Sequence, residues 1–276
     1  MIETKSVASW SEYLEEILCL ARCYSDRHRP PLFRGLANCE WGLQTTLDRY
    51  YEDEKVPIDP SFLSYYRRAS LSPKSALETL LGKRWDNFPD YGQVLSESEK
   101  NSVGWLDGML KGRPEIYEFF IYLRHHGYPS PLLDWTASPY VAAFFAFDTV
   151  NRKEAPASVA VYAFVPDRSG GVFKAGPELC LVGPYGRSNA RHLAQQCWYT
   201  WCVEKRVRDY LIRRHDEVIT EAAEPDGRVL KLKIPTAERL VALKELDLMN
   251  VNAFSLFGSE DSLVRTVARR ELLFKK

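Results

Sequence analysis

His125-His126-Gly127-Tyr128-Pro129-Ser130-Pro131-Leu132-Leu133-Asp134-Trp135-Thr136 sets one carboxylate, Asp134, between Leu133 and Trp135. A charge in such surroundings is paired or hydrogen-bonded when buried. Two partners suit it: an arginine, with Arg34 the obvious candidate, or backbone N–H groups at a helix start, where the dipole favours negative charge. Upstream, Pro114 sits where a first helical turn tolerates proline. Ile116, Tyr117, Phe119, Phe120 and Leu123 then predict a buried helix, which Gly127 and Pro129 end. Downstream, Ser138-Pro139 has the form of an N-cap followed by proline at the first helical position. Val141 to Phe147 is apolar all round and predicts a helix buried on most sides.

Farther out, Trp10, Tyr13, Leu14, Ile17, Leu18 and Ala21 fall on one face of a helix over residues 9–22. Pro30-Pro31 ends what precedes it, and Leu32-Phe33-Arg34-Gly35 is strand-like with one charge among apolar neighbours. Residues 48–74 predict loops with short helices, and Ser75 to Glu78 has capping-box form. Residues 84–113 are expected to be a loop excursion. Strand composition marks 157–165, 197–203 and the alternating 229–234. Thr236 and Ser259 are expected to cap two C-terminal helices. The order shows no regular strand–helix alternation, so the fold class is α+β. We expect a single domain over 1–276, with a helical segment at 1–29, another at 236–276, and a mixed, largely antiparallel sheet between helices.

The 276 residues carry 37 Lys+Arg against 37 Asp+Glu, with 45% hydrophobic and 13% aromatic residues. That composition excludes a disordered chain. Zero net charge argues against a protein that coats nucleic acid through surplus cations. The longest apolar run, Tyr140 to Phe147, is too short to span a bilayer, and the first residues lack the apolar core of a secretory signal. A cytoplasmic protein without a membrane partner is expected. The six cysteines form no C-x-x-C and sit beside no histidine at zinc spacing, so they are expected to behave as small hydrophobes and no metal is predicted.

Three segments carry polar residues inside apolar surroundings: Phe33-Arg34-Gly35, the 125–136 stretch, and Asn189-Ala-Arg191-His192-Leu-Ala-Gln195-Gln196 before the aromatic run Cys197 to Val203. Together they resemble the FRG domain family, named for its Phe-Arg-Gly tripeptide. The family pattern continues with H-Y-G-x-P-T-R-L-L-D-W-T and an R-x-x-x-Q motif. Here His125, Gly127, Pro129 and Leu132 to Thr136 match, as do Arg191 and Gln195 or Gln196, and the resemblance spans roughly residues 30–265. Ser130 stands for the family's Thr and keeps a hydroxyl. Pro131 stands for its Arg and does not keep the charge.

A weaker resemblance, in the order of these segments, is to the ADP-ribosyltransferase fold. It implies an NAD-dependent transferase-like effector, in a toxin or phage-defence setting. In that reading Arg34 holds a pyrophosphate, as a bidentate fork suits phosphate. Ser130, Trp135, Thr136, Arg191 and Tyr199 line the nucleotide, while Gln196, Asp134 and His125 serve the chemistry. A glutamine brings no negative charge to an oxocarbenium-like transition state, so Asp134, Glu178 or Glu204 would have to supply it. One alternative is a module that binds or senses a nucleotide without turnover. Another is a nucleic-acid-acting protein using the basic segment 204–215, which lacks a clustered carboxylate metal motif. The macromolecular target, protein or nucleic acid, is not specified by the sequence.

Overall fold

A computed structural model describes residues 2–24, 30–82, 84–100, 106, 113–150, 154–165, 178–183, 190–206, 209–221 and 228–275. Strand β1 (Ile2–Ser6) leads into α1 (Trp10–Cys23), so the N-terminal segment is not purely helical. β1 carries no apolar alternation, and it joins the sheet by a parallel main-chain pairing along β8. β2 (Leu32–Leu36) follows. Three helices then cover the stretch expected to be loop-rich: α2 (Thr46–Asp53), α3 (Phe62–Ser70) and α4 (Ser72–Leu81). α4 starts at Ser72, not at Ser75, because Pro73 pre-sets the first turn. Inside the expected excursion lies α5 (Tyr91–Lys100), started by reciprocal side-chain bonds between Asp90 and Gln93. Residues 101–105 and 107–112 of that excursion lie outside the described residues.

The predicted helices around the 125–136 stretch form as expected. They are α6 (Pro114–His125) and α7 (Pro139–Asp148), the latter capped by Ser138, whose Oγ accepts from Val141 N at 3.3 Å. Between them is β3 (Leu133–Thr136), so Asp134 sits on a strand and not at a helix start. β4 (Ser158–Val165), β5 (Glu178–Val182), α8 (Ala190–Gln195), β6 (Cys197–Lys205), β7 (Tyr210–Arg213), α9 (His215–Glu221) and β8 (Arg228–Pro235) follow. The chain closes with α10 (Arg239–Leu248), α11 (Ala253–Phe257) and α12 (Glu260–Leu272). Ser259 caps α12 as expected. Thr236 does not cap α10: it opens a 3-10 turn, and its Oγ1 is buried without a partner.

The fold is α+β, with one mixed sheet in the order β1-β8-β4-β2-β3-β6-β5 and β7 beside β6. Every described pairing except β1–β8 is antiparallel. Period-2 alternation sends β6 residues Cys197, Tyr199, Trp201 and Val203 into a core with α3 and α6. Cys202 enters the opposite core with Leu133 and Trp135. α7 lies across β2 within a third cluster that also holds α1 and α10 residues. Gly35 permits this approach. A Cβ there would lie 1.8 Å from the Ala142 carbonyl oxygen and 2.7 Å from the Ala146 nitrogen, both on α7. The glycine of the tripeptide is thus a matter of space. Cys39, Cys197 and Cys202 are buried as expected, while Cys19 and Cys23 are exposed on α1.

Candidate functional site

The sheet parts between β2 and β3. Their one paired register is Phe33 with Thr136. Next to it Arg34 takes the place of the ladder, with Nη1 donating to the Asp134 main-chain oxygen at 2.8 Å. At this parting lies a cavity of about 550 Å³, a volume suited to a small ligand. Its described lining includes Arg34, Arg49, Arg124, Arg191 and Asp134, four guanidinium groups against one carboxylate. Phe33, Trp41, Phe145, Tyr199 and Phe257 supply aromatic wall. Trp41 is 54% exposed, unusual for the largest apolar side chain and consistent with a place at the mouth.

Asp134 is held by Arg124, not chiefly by Arg34. The Arg124 Nε and Nη2 donate to its two carboxylate oxygens, and Nη1 donates to Thr46 Oγ1 at 2.9 Å. Arg34 Nη1 stands 4.0 Å from Asp134 Oδ2. Burial alone would raise the Asp134 pKa, but Arg124 and then Arg34 outweigh it and hold the carboxyl below its usual range. Burial also opposes the charge on Arg124, and Asp134 more than offsets it. For Arg34 the attraction of Asp134 does not outweigh burial. Burial pulls its pKa down to about 10, and its Nε lies buried without a partner. Burial and the neighbouring Arg124 likewise lower Arg49, which makes no ion pair with another described residue. Around Arg34 and Arg49 the described lining residues thus supply less negative charge than these two guanidinium groups carry.

Beside it, three atoms meet in a triangle. His125 Nε2, His192 Nε2 and Tyr199 Oη are each 3.1 Å from the other two. Burial lowers the pKa of both histidines, to about 4 for His192, and raises that of Tyr199. Burial pushes the nearby Cys197 thiol up to about 12.

Among the expected site residues, Arg34, His125, Asp134, Trp135, Thr136, Arg191 and Tyr199 border the cavity. Trp135 and Thr136 do so with committed side chains. The indole N–H of Trp135 donates to Thr200 Oγ1 at 2.8 Å, and the Thr136 hydroxyl donates to the Gln195 carbonyl at 2.7 Å. Ser130 does not line it. That residue is fully buried, taking its main-chain bonds from the start of α2: its N–H donates to Thr46 Oγ1 at 3.0 Å and its carbonyl accepts from Leu47. Gln196 does not line it either. It turns the chain in the left-handed region at φ +49°, between α8 and β6, and Gln195 takes the lining place. Glu204 is tied to Arg206 and Arg213. The side chain of Glu178 lies outside the described residues.

Arg191 and Gln195 have a shared task. One helical turn apart on α8, they donate to the last carbonyls of α11: Arg191 Nε to Phe257 O at 3.3 Å, and Gln195 Nε2 to Leu256 O at 3.0 Å. Helix-end carbonyls lack intrahelical partners, so this clamp satisfies them and fixes Phe257 as wall. The 204–215 segment is not one helical face. It spans a β6–β7 hairpin, in which Arg213 pairs with Glu204 and Arg214 with Glu52, and His215 is buried; residues 207–208 lie outside the described residues.

Sequence reasoning missed Arg124, Arg49, Trp41, His192 and Phe257. Arg124 carried a signal, a lone cation after the buried run Phe119 to Leu123. His192 lies inside the third motif, but nothing in its spacing shows that it meets His125 and Tyr199; Trp41, Arg49 and Phe257 lie outside the three motifs, and only folding gathers them.

No curated protein and no solved structure matches the chain. The FRG domain family matches residues 29–155, which hold the first two motifs and stop before Arg191, Tyr199 and Phe257. Residues 29–155 of this chain are therefore an FRG domain.

Proposed function

We propose that the cavity binds a small anionic ligand carrying a flat ring, of the nucleotide class, NAD among the candidates. The observation that carries this is an excess of cations: Arg34 and Arg49 are held in a cavity whose one carboxylate among the described lining residues is engaged first by Arg124. A phosphate accepts bidentate bonds from guanidinium groups and relieves their mutual repulsion. Trp41 and the phenylalanine walls offer faces for ring stacking.

Between binding and turnover, the geometry favours binding. A glycosyl transfer needs negative charge beside the developing cation. Asp134 is the carboxylate among the described lining residues, and both its oxygens take bonds from Arg124. Gln195, which faces the cavity, is neutral. The transferase reading, its toxin or defence setting and a macromolecular target rest on the resemblance alone.

Thermal melts with NAD, ADP-ribose, ATP and inorganic phosphate test the proposal. A ligand at 100 times its Kd stabilises by about 2.7 kcal/mol, roughly 5 °C for a chain of this length. We expect a shift for at least one ring-bearing phosphate compound that is lost in Arg49→Ala and Arg34→Lys. Absence of any shift across the set, with normal melts, would refute it. Nicotinamide released from NAD by the wild type would restore the transferase reading.

A further inference from the structure

The triangle of His125, His192 and Tyr199 calls for an explanation of its own. The three residues come from the end of α6, from α8 and from β6, so no local spacing forces them together. As a hydrogen-bonded cluster it is short of protons. A neutral imidazole nitrogen either donates or accepts, never both. If one Nε2 carries hydrogen and the other accepts, the cluster has that proton and the phenol's for three contacts. Were both Nε2 atoms protonated, two donors would face each other at 3.1 Å. In every neutral tautomer one edge is therefore left without a hydrogen bond.

We infer that these three side chains form a binding site for a divalent first-row transition ion, with Zn²⁺ the best fit. Zinc lies about 2.0–2.1 Å from imidazole nitrogen or an oxygen ligand. An ion at that distance from all three corners of a 3.1 Å triangle stands about 1 Å out of its plane, with ligand–metal–ligand angles of about 98°, between octahedral and tetrahedral values. The set is facial and leaves coordination open on one side. His125 and Tyr199 both border the cavity, so an ion on that side of the triangle would turn its open position toward the cavity. Two imidazoles and a phenolate suit Zn²⁺, Co²⁺ or Cu²⁺ better than Mg²⁺ or Ca²⁺, which prefer all-oxygen sets. On binding, the Tyr199 O–H bond breaks, its oxygen bonds the ion, and the proton leaves to solvent. The adjacent Arg124 is paired with Asp134, which screens the ion from that charge.

The test needs the ion alone and does not depend on the nucleotide reading. The full chain, free of metal and of any histidine tag, is titrated with Co²⁺, and visible absorption is followed before Zn²⁺ is added. We expect one equivalent of Co²⁺ to give d–d bands, one proton to be released per ion, and Zn²⁺ to displace it. His192→Gln and Tyr199→Phe should each weaken binding at least tenfold. His126→Ala, exposed next to the site, should leave it unchanged. Melts of each variant establish that it is folded. Should a variant not fold, the one-to-one uptake and the proton count of the wild type decide. No uptake by the folded wild type, uptake without proton release, or uptake unaffected in both site variants would overturn the assignment.

Discussion

Replacing Gly35 by alanine asks whether the glycine of the tripeptide is required for space. The new Cβ would lie 1.8 Å from the Ala142 carbonyl oxygen, where ordinary contact needs about 3.4 Å. Ala142 O, Ala146 N and Ala142 C are all main-chain atoms, so no rotamer change clears them. Either α7 retreats or β2 bends, by about 1.6 Å in total. A gap of 0.5–1 Å already forfeits about a quarter to a half of a dispersion contact. The retreat would loosen Val141, Ala142 and Phe144 from β2 and β4. Overpacking costs about 1–3 kcal/mol where side chains can yield, so a rigid obstacle places this variant at about 3 kcal/mol or more. For a chain of this length the melting temperature should fall by roughly 6–12 °C, read by calorimetry or circular dichroism. Ala142→Gly should not rescue it, because the obstacle is the peptide group. A melt within 1 °C of wild type, or rescue by Ala142→Gly, would refute the reasoning.

Other perturbations separate the remaining parts. Burial lowers the pKa of His215 to about 3 from 6.5, so unfolding takes up a proton between those values. Stability from this group is full above pH 6.5 and declines as pH falls toward 3, by up to about 1.4 kcal/mol per pH unit. His215→Asn should flatten that slope in denaturant titrations; an unchanged slope would exclude His215 as its source. Removing the clamp with Arg191→Ala or Gln195→Ala should cost about 1 kcal/mol each and speed amide exchange in α11. Exchange that stays at the wild-type rate would mean that α11 is held by packing alone. Ser138→Ala should cost about 1 kcal/mol through the lost cap of α7, measured by urea unfolding.

How much the sequence disclosed depended on whether the cause was local. The two helices around Asp134, the cap at Ser138 and strands β2, β4, β6 and β8 were legible because periodicity, caps and β-branched runs are written in neighbouring residues. β1 was not legible, since its pairing is made by main chain along β8 and its side chains carry no alternation. α5 was hidden by its polarity. The sequence marks Asp134 as a charge needing a partner, with Arg34 or a helix start as candidates, yet Arg124 is the residue that holds it. Spacing cannot tell which of two arginines arrives within bonding distance.

Arg191 and Gln195 show the division most clearly. Their four-residue spacing is written in the sequence; that it becomes one turn of helix, α8, is seen in the structure. That they meet the carbonyls of Leu256 and Phe257, some sixty residues on, was decided by the packing of α11 against α8. The same holds for Gln196. Its neighbour faces the cavity because the chain turns left-handed at φ +49°, and a one-residue shift on entering a strand sends a side chain to the other face. Sequence determined which segments become helix or strand and which charges must be satisfied, because those depend on propensity and desolvation near each residue. Tertiary structure decided which side chains share the cavity, because that depends on contacts between residues far apart in the chain.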